Sequence, residues 1–140
     1  MGRAVPGESA AVIVLDTHVL VWARTQQRRL SAAARQAIID ARAGDGVAVA
    51  AISLYEAARL FALGYLRPLG TVSQAVNDLI DGVTVLPLTV EIAALATGFP
   101  RAFPRDPADR LIAATARAHT LPLVTADRDI RRSPLVETVW

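Results

Sequence analysis

The sequence of 140 residues contains no cysteine. This absence excludes disulfide bonds, zinc sites built on thiolates and catalysis by a cysteine nucleophile. It does not by itself identify the cellular compartment.

Lysine is also absent, since all fifteen basic residues are arginine. Without lysine the chain cannot form a P-loop, whose lysine contacts phosphate, or a Schiff base with a carbonyl substrate. The absence of lysine also excludes receiver-type and phosphatase-type folds, which place a lysine beside the aspartate that accepts a phosphoryl group. The net charge at pH 7 is +2. If several acids gather in one site, the rest of the surface carries an excess of positive charge. Such a surface suits a polyanionic substrate.

Aromatic residues make up only 5% of the chain, and long apolar runs are missing. The longest runs, residues 10–15 and 47–52, are too short to cross a bilayer. The residues before Asp16 also lack the apolar segment of a signal peptide. We therefore expect a cytoplasmic protein without a membrane segment, made of a flexible leader over residues 1–11 and one folded domain over residues 12–140.

Short apolar runs alternate with helical segments along the folded domain. Runs of Val, Ile, Leu and Ala are typical of strands buried on both faces of a parallel sheet. The alternation predicts a three-layer α/β/α sandwich around a mostly parallel sheet of four or five strands. We expect strands at 12–15, 47–51, 83–86, 123–125 and 136–139, and helices at about 32–42, 53–63, 72–80, 90–97 and 106–119, with a short helix or turn at 18–23 and a polar loop at 25–29.

Polar residues at the predicted helix starts indicate how each helix begins. Ser31 and Thr89 are predicted N-caps, and Asp106 before a proline is a third. Ser53 and Glu56 have the spacing of a capping box.

Four acids stand at junctions between predicted strands and helices. Asp16 and Asp127 each follow a buried strand, whereas Glu56 and Asp109 each lie in the first turn of a predicted helix. Taken singly, the first two are explained as turn residues and the other two as partners of helix dipoles. Those explanations do not account for an acid at every such junction near one sheet edge, where open α/β folds bind ligands.

Carboxylates gathered in one place repel each other, by roughly 3 kcal/mol for two groups ~5 Å apart at an effective dielectric near 20. Four of them therefore require a cation, and oxygen ligands alone select one or two Mg²⁺ or Mn²⁺ ions. Such a site supports phosphodiester hydrolysis, because the metal activates water for in-line attack on phosphorus. The expected products carry 5′-phosphate and 3′-hydroxyl ends.

Four segments, LDTHVLVW, SLYE, DPADRLIAATA and LVTAD, resemble the motifs of the PIN domain, and more narrowly those of VapC-type toxins of bacterial toxin–antitoxin pairs. They occur in the family's order and spacing, and the resemblance extends over residues 12–140. The leader is the one departure, since such chains usually begin almost directly at the first strand. The four segments are residues 15–22, 53–56, 106–116 and 123–127.

The resemblance implies functional roles for particular residues. The family's acidic quartet of catalytic and metal-binding residues maps onto Asp16, Glu56, Asp109 and Asp127. Its hydroxyl residue two before the last acid maps onto Thr125, which is expected to contact a carboxylate or a substrate phosphate. The resemblance also implies an Mg²⁺- or Mn²⁺-dependent endoribonuclease that forms a homodimer and is neutralised by a small cognate antitoxin.

Other polar residues admit two interpretations each. Asp129 either supports the metal ligands or lies in a solvated turn. Arg24, Arg28 and Arg29 are candidate RNA contacts in a basic loop, although such loops are often only solvated. Arg110 either pairs with a nearby acid or faces RNA phosphate.

Large apolar residues cluster on the second predicted helix and its exit. Tyr55, Leu60, Phe61 and Tyr65 cover too many directions for all of them to face the core. By resemblance, this is where the antitoxin docks. His18 is expected to pack or form a hydrogen bond rather than act as a general base.

Two other functions remain compatible with the sequence. One is a non-catalytic module on the same fold that binds nucleic acid or a partner, for which loss of a quartet acid would change nothing in the cell. The other is a small-molecule phosphohydrolase, which a lysine or a second aspartate at position 18 would have favoured.

Overall fold

The computed structural model describes residues 12–140, so the predicted leader over residues 1–11 lies outside the described residues. The described chain contains a five-stranded sheet with strand order β3-β2-β1-β4-β5, and every pairing in it is parallel. The prediction of a mostly parallel sheet is confirmed, with all five predicted strands present. The strands are β1 Ile13–Leu15, β2 Val47–Ala50, β3 Val83–Leu86, β4 Leu123–Val124 and β5 Thr138–Val139.

Helices connect the strands and cover both faces of the sheet. No helix within residues 12–140 is long and apolar enough to cross a membrane. The helices of the described chain are α1 Thr17–Thr25, α2 Ala32–Ala43, α3 Ile52–Ala62, α4 Val72–Leu79, α5 Val90–Thr97, α6 Pro107–Ala118 and α7 Arg128–Arg132.

The sheet separates two apolar cores. Successive strand residues point to opposite faces, so Leu15 and Val14 of the fully buried β1 enter different cores. Leu15 packs with residues of α1 to α4, and Val14 packs with residues of α5, α6 and α7. This arrangement confirms the predicted three-layer sandwich.

The strand order places a topological switch point at β1. The chain moves from β1 to β2 and β3 on one side and then returns to β4 on the other side. The carboxyl ends of β1 and β4 lie next to each other, where open α/β sheets bind ligands. Asp16 follows β1 directly, and Thr125 and Asp127 follow β4.

Three predicted N-caps are confirmed by hydrogen bonds from the backbone. Ser31 accepts one from Ala34 N at 3.0 Å. Thr89 accepts one from Ile92 N at 3.1 Å. Asp106 caps α6 in the same way, through the amide of Ala108 at 2.8 Å.

The predicted capping box of Ser53 and Glu56 is wrong. Helix α3 begins at Ile52, and the apolar Ala51 stands at its N-cap. Ser53 is fully buried inside the first turn, where its hydroxyl pairs with that of Thr17 at 2.8 Å. Glu56 is the fifth residue of α3, so its carboxylate is not used to cap the helix.

Two short elements differ from the prediction. The polar loop at 25–29 contains a 3₁₀ turn over Gln27–Arg29, and α7 follows Asp127 directly. Both elements are too short to produce a hydrophobic period, which is the signal on which the sequence prediction depends.

Arg110 secures the loop between α5 and α6. Its side chain is half-buried and forms no ion pair with an acid within residues 12–140, so that alternative is wrong, whereas contact with RNA phosphate stays a prediction. The loop that it holds leads into α6, which carries Asp109. The guanidinium donates five hydrogen bonds of 2.9–3.3 Å to the carbonyl oxygens of Ala96, Phe99, Pro100, Phe103 and Pro104.

We expect Arg110→Lys to lower the free energy of unfolding by about 2 kcal/mol, because an ammonium group cannot donate five hydrogen bonds in a planar fork. Urea denaturation of the two proteins measures the difference. Arg28→Lys, at an exposed position, is the matched control and should leave stability unchanged. Equal stability of Arg110→Lys and the wild type would contradict this role.

Candidate active site

Asp16 is the most buried of the four acids, with 7% of its surface exposed. It caps α1, since its Oδ1 accepts a hydrogen bond from Thr17 N at 2.8 Å. Its Oδ2 accepts a second one from Thr125 Oγ1 at 2.7 Å. Burial raises the pKa of Asp16, and the negative charge of Asp127 adds to the rise, whereas both hydrogen bonds oppose it.

Glu56 reaches the same edge from α3. Its Oε1 accepts a hydrogen bond from Thr17 Oγ1 at 2.5 Å, and the same threonine oxygen pairs with the Ser53 hydroxyl. Because Thr17 has one hydroxyl proton, donation to Glu56 requires Ser53 to donate to Thr17. Burial raises the pKa of Glu56, the Thr17 bond opposes this, and the charge of Asp16 raises it further.

Asp109 brings a fourth carboxyl group to this region from α6. Its carboxyl group is partly buried on the first turn of α6. Its pKa is raised to about 7, first by burial and then by the charges of Asp106, Asp16, Asp127 and Glu56. The three other predicted acids therefore all act on this carboxyl group. Over residues 12–140, it receives no compensating hydrogen bond.

Asp127 lies at the junction of β4 and α7. Its Oδ1 accepts hydrogen bonds from Asp129 N at 2.8 Å and Ile130 N at 3.1 Å, as the Asx-turn interpretation predicts. Its own amide donates to Thr125 Oγ1 at 3.1 Å. The buried Thr125 hydroxyl thus connects Asp127 to Asp16, in agreement with the predicted contact to a carboxylate.

The four carboxylates are not neutralised by basic side chains. In the part of the chain that the structure describes, the ion pair present is that of Arg132 with Asp129, which involves none of the four. A cluster of unpaired carboxylates with oxygen donors is the donor set that Mg²⁺ and Mn²⁺ prefer. The residues present therefore fit a hard divalent cation.

The cluster is open rather than a closed cage. Among residues 12–140, no three acidic or histidine side chains come close enough together to ligate one ion. Mg²⁺ is commonly held by one or two carboxylates, with water and substrate phosphate completing its shell. The separation of the acids is consistent with that mode of binding.

Three residues near the cluster were not assigned to it from the sequence. Thr17 and Ser53 form the hydroxyl chain that ends at Glu56. The position of Thr17 directly after Asp16 in the first motif was the sequence signal for its proximity to the acids. Asp106 is the N-cap that the sequence predicts, and it is also the acid that most strongly raises the pKa of Asp109. The sequence signal was the spacing of three residues between Asp106 and Asp109 at the start of one helix, which brings the two side chains close together.

The carboxylate of Asp129 points to Arg132, although its amide donates to Asp127 Oδ1 at 2.8 Å. Its carboxylate pairs with Arg132 at 3.2 Å, and the side chains are 68% and 74% exposed. The exposed side chain agrees with the solvated-turn interpretation, and support of the metal ligands by Asp129 stays a prediction.

Arg24, Arg28 and Arg29 lie far from the acids. Helix α1 leaves the carboxyl edge at Asp16 and spans nine residues, roughly 13 Å, before this segment begins. Arg24 donates a hydrogen bond to the carbonyl of Asp81, which precedes β3 and marks the opposite edge of the sheet. Arg29 lies over the Trp22 ring at 4.9 Å. Contact of this segment with RNA stays a prediction.

The residues predicted to bind an antitoxin are divided between core and surface. Leu60 and Phe61 pack partly against the core, whereas Tyr55 and Tyr65 are 63% and 75% exposed. The exposed His18 ring lies 5.9 Å from the Trp22 ring at an interplanar angle of 48°, so it packs in a tilted arrangement on an aromatic side chain. A cavity of about 240 Å³ next to the acids is lined by Thr17, His18, Glu56, Arg59, Leu60, Leu63 and Tyr65.

We expect Thr17→Val to lower the free energy of unfolding by about 1–3 kcal/mol, because it leaves the buried Ser53 hydroxyl without its partner. Ser53→Ala removes the hydroxyl that Thr17→Val leaves without a partner. The double variant should therefore lose less free energy of unfolding than the sum of the losses in the two single variants. Urea denaturation of all four proteins completes this cycle. Strictly additive losses would show that the two hydroxyls do not interact.

The raised pKa of Asp109 predicts a pH-dependent stability in the absence of metal. The folded state holds this proton more tightly than the unfolded state, so its contribution is full below about pH 4 and is lost as the pH rises through about 7. Burial raises the pKa of Asp16 and Glu56 as well, so these groups act in the same direction.

We therefore expect the free energy of unfolding to fall between pH 5 and pH 8 in EDTA, and Asp109→Asn to reduce that fall. Urea denaturation at the two pH values measures it. Asp45→Asn, an exposed acid before β2, is the control and should leave the pH dependence unaltered. A wild-type stability that increases with pH over this range would contradict the clustering of unpaired acids.

Comparison with known proteins agrees with this arrangement. Residues 13–134 match the profile of the PIN domain family. The chain is 43% identical over 130 residues to Ribonuclease VapC22 of Mycobacterium tuberculosis, covering 91% of this chain and 98% of that protein. It also resembles solved toxin–antitoxin structures in fold.

One of these is VapBC2 from Rickettsia felis bound to a DNA fragment from its promoter, with a TM-score of 0.67 and 14% identity over 91% of this chain and 97% of that one. Another is a toxin–antitoxin complex from Klebsiella pneumoniae, with a TM-score of 0.63 and 19% identity over 89% and 94% of the two chains. The chain therefore belongs to the PIN domain family, among its VapC-type proteins.

Proposed function

We propose that this protein is an endoribonuclease toxin that depends on Mg²⁺ or Mn²⁺ and is inhibited by a cognate antitoxin. The observation that carries the proposal is the hydrogen-bonded arrangement of the acids, in which Thr125 connects Asp127 to Asp16 and Thr17 connects Asp16 to Glu56. A 43% identical relative is named a ribonuclease, which supports RNA as the substrate.

One or two of the four acids at a time would hold a divalent ion at the carboxyl ends of β1 and β4, with one or two ions in the site. When bound, such an ion neutralises the carboxylates and the substrate phosphate and activates water for in-line attack on phosphorus. Without a cation the cluster would repel an RNA phosphate, so the acids serve substrate binding only together with the ion.

The hydroxyl groups keep the acids in position. Thr125 holds one oxygen of Asp16, and Thr17 holds both the other Asp16 oxygen, through its amide, and the Glu56 carboxylate, through its hydroxyl. These bonds fix the carboxylates without supplying positive charge. Asp109 and Asp127 each retain at least one carboxylate oxygen that accepts no hydrogen bond within residues 12–140 and is available for an ion.

An antitoxin and a second copy of the chain are proposed as partners. Solved relatives with this fold include toxin–antitoxin complexes, which supports an antitoxin. The exposed Tyr65 and Leu63 line the cavity beside Glu56, so a protein segment bound there would block access to the acids. We place the protein in the cytoplasm, where its RNA substrate is found.

Asp16→Asn should abolish RNA cleavage, by at least about a hundredfold in kcat, while the protein keeps its fold, because the side chain retains its shape and loses its charge. EDTA should abolish cleavage by the wild type, and added Mn²⁺ or Mg²⁺ should restore it. Cleavage of total RNA, with sequencing of the new ends, measures both effects. Circular dichroism verifies the fold.

Asp45→Asn is the matched control for this experiment and should cleave RNA like the wild type. Full activity of Asp16→Asn, or of the wild type in excess EDTA, would overturn the metal-dependent mechanism. A wild type that binds RNA and does not cleave it with either metal would instead favour the non-catalytic binding module.

A further inference from the structure

A cleft lined mainly by arginines is formed on α7, the helix that Asp127 caps. It has a volume of about 440 Å³, which is large enough for a nucleotide. Three of its five lining residues come from α7, and the others come from the edge strand β5 and its end. We call it the arginine cleft, and its lining residues are Arg128, Arg131, Arg132, Thr138 and Trp140.

Two of the three arginines carry uncompensated charge. Arg132 pairs with Asp129 at 3.2 Å. Over the described residues 12–140, the guanidinium groups of Arg128 and Arg131 form neither an ion pair nor a hydrogen bond, and both side chains are exposed. This distinguishes them from Arg110 and Arg24, whose guanidinium groups are bound to backbone carbonyls.

The chain places Arg128 directly after one of the four acids. Asp127 caps α7, and Arg128 is the first residue of that helix. Arg131 follows one turn later, about 4.5 Å further along the helix axis. A polyanion bound by the acids through a cation would therefore meet the two free arginines one or two nucleotides away.

Trp140 gives the cleft an aromatic wall. The residue is partly buried, and its ring packs against Trp22 at a centroid distance of 6.0 Å, which restricts its orientation. Cationic side chains combined with a fixed aromatic ring are the features by which proteins bind single-stranded nucleic acid, since phosphates contact the cations and bases stack on the ring.

We propose that the arginine cleft binds single-stranded RNA next to the scissile phosphate, with Arg128 and Arg131 on backbone phosphates and Trp140 against a base. The inference rests on the proposed ribonuclease function and adds the surface that positions the substrate. An acidic protein segment is the other polyanion of matching charge. The stacking surface and the position beside a cation-dependent phosphate site favour RNA.

The test uses fluorescein-labelled single-stranded RNA and the Asp16→Asn protein as a background that does not cleave. Adding Arg128→Ala and Arg131→Ala should weaken binding at least about tenfold, as expected for lost hydrogen bonds to charged groups. The slope of log K against log salt should fall by about 1.4, for two phosphate contacts on a single strand. Replacing both residues by lysine should restore the salt slope.

Arg42→Ala with Arg67→Ala is the matched control in the same background. Both arginines are exposed, neither lines the cleft and neither is a candidate RNA contact, so this pair removes the same charge without altering the cleft. It should change neither affinity nor salt slope appreciably. Equal effects of the two double variants would overturn the proposal, because binding would then depend on net charge alone.

Intrinsic fluorescence tests the role of Trp140. In a Trp22→Phe variant Trp140 is the sole tryptophan, and bound RNA should quench its emission, whereas polyglutamate of matched charge should not. Unchanged emission at saturating RNA would exclude stacking. Displacement of RNA by polyglutamate, lost in the cleft double variant, would assign the cleft to an acidic protein segment instead.

Cleavage kinetics separate this inference from the proposed function. With Asp16 intact, the cleft double variant should show a KM raised about tenfold and a kcat at saturating RNA within about threefold of the wild type, since the cleft supplies binding away from the reacting bond. Loss of kcat with KM unchanged would overturn the cleft assignment. Failure of the wild type to cleave RNA would overturn the proposed function, and the binding experiments would still decide the cleft.

Discussion

Repulsion among Asp16, Glu56, Asp109 and Asp127 is the constraint on which the active-site region depends. The fold holds these groups with the hydroxyls of Thr17 and Thr125 rather than with arginines. A hydroxyl fixes a carboxylate oxygen without neutralising its charge, so the negative potential is kept for a cation and, through it, for a phosphate. An arginine in either position would have stabilised the apo protein and filled the site.

The sheet supplies the rigidity that this arrangement needs. β1, β2 and β4 are buried on both faces, so the backbone from which the acids project is held by two apolar cores. The switch point beside β1 brings Asp16 and Asp127 together although they are far apart in sequence. Arg110 fixes the loop before α6. The loop in turn positions Asp106 and Asp109, at the start of α6, near the carboxyl edge of the sheet.

Arginines differ in role within residues 12–140, and the total basic charge does not distinguish these roles. Arg110 is a structural donor to carbonyls, and Arg24 and Arg29 are held by a carbonyl and by an aromatic ring. Arg128 and Arg131 keep their charge free beside the acidic cluster. Other exposed arginines, such as Arg42 and Arg67, also lack a partner among residues 12–140, but they do not share a cleft with an aromatic ring next to Asp127.

The sequence by itself determined the α/β sandwich, its five strands and the helix caps at Ser31, Thr89 and Asp106, because hydrophobic period and capping are local properties. It also indicated the four acids, since each lies at a recognisable junction or motif. Only the tertiary structure decided which groups contact them. The Ser53–Thr17–Glu56 hydroxyl chain, the five carbonyls around Arg110 and the cleft beside Trp140 join residues that no local pattern relates, and their contacts follow from how the layers pack.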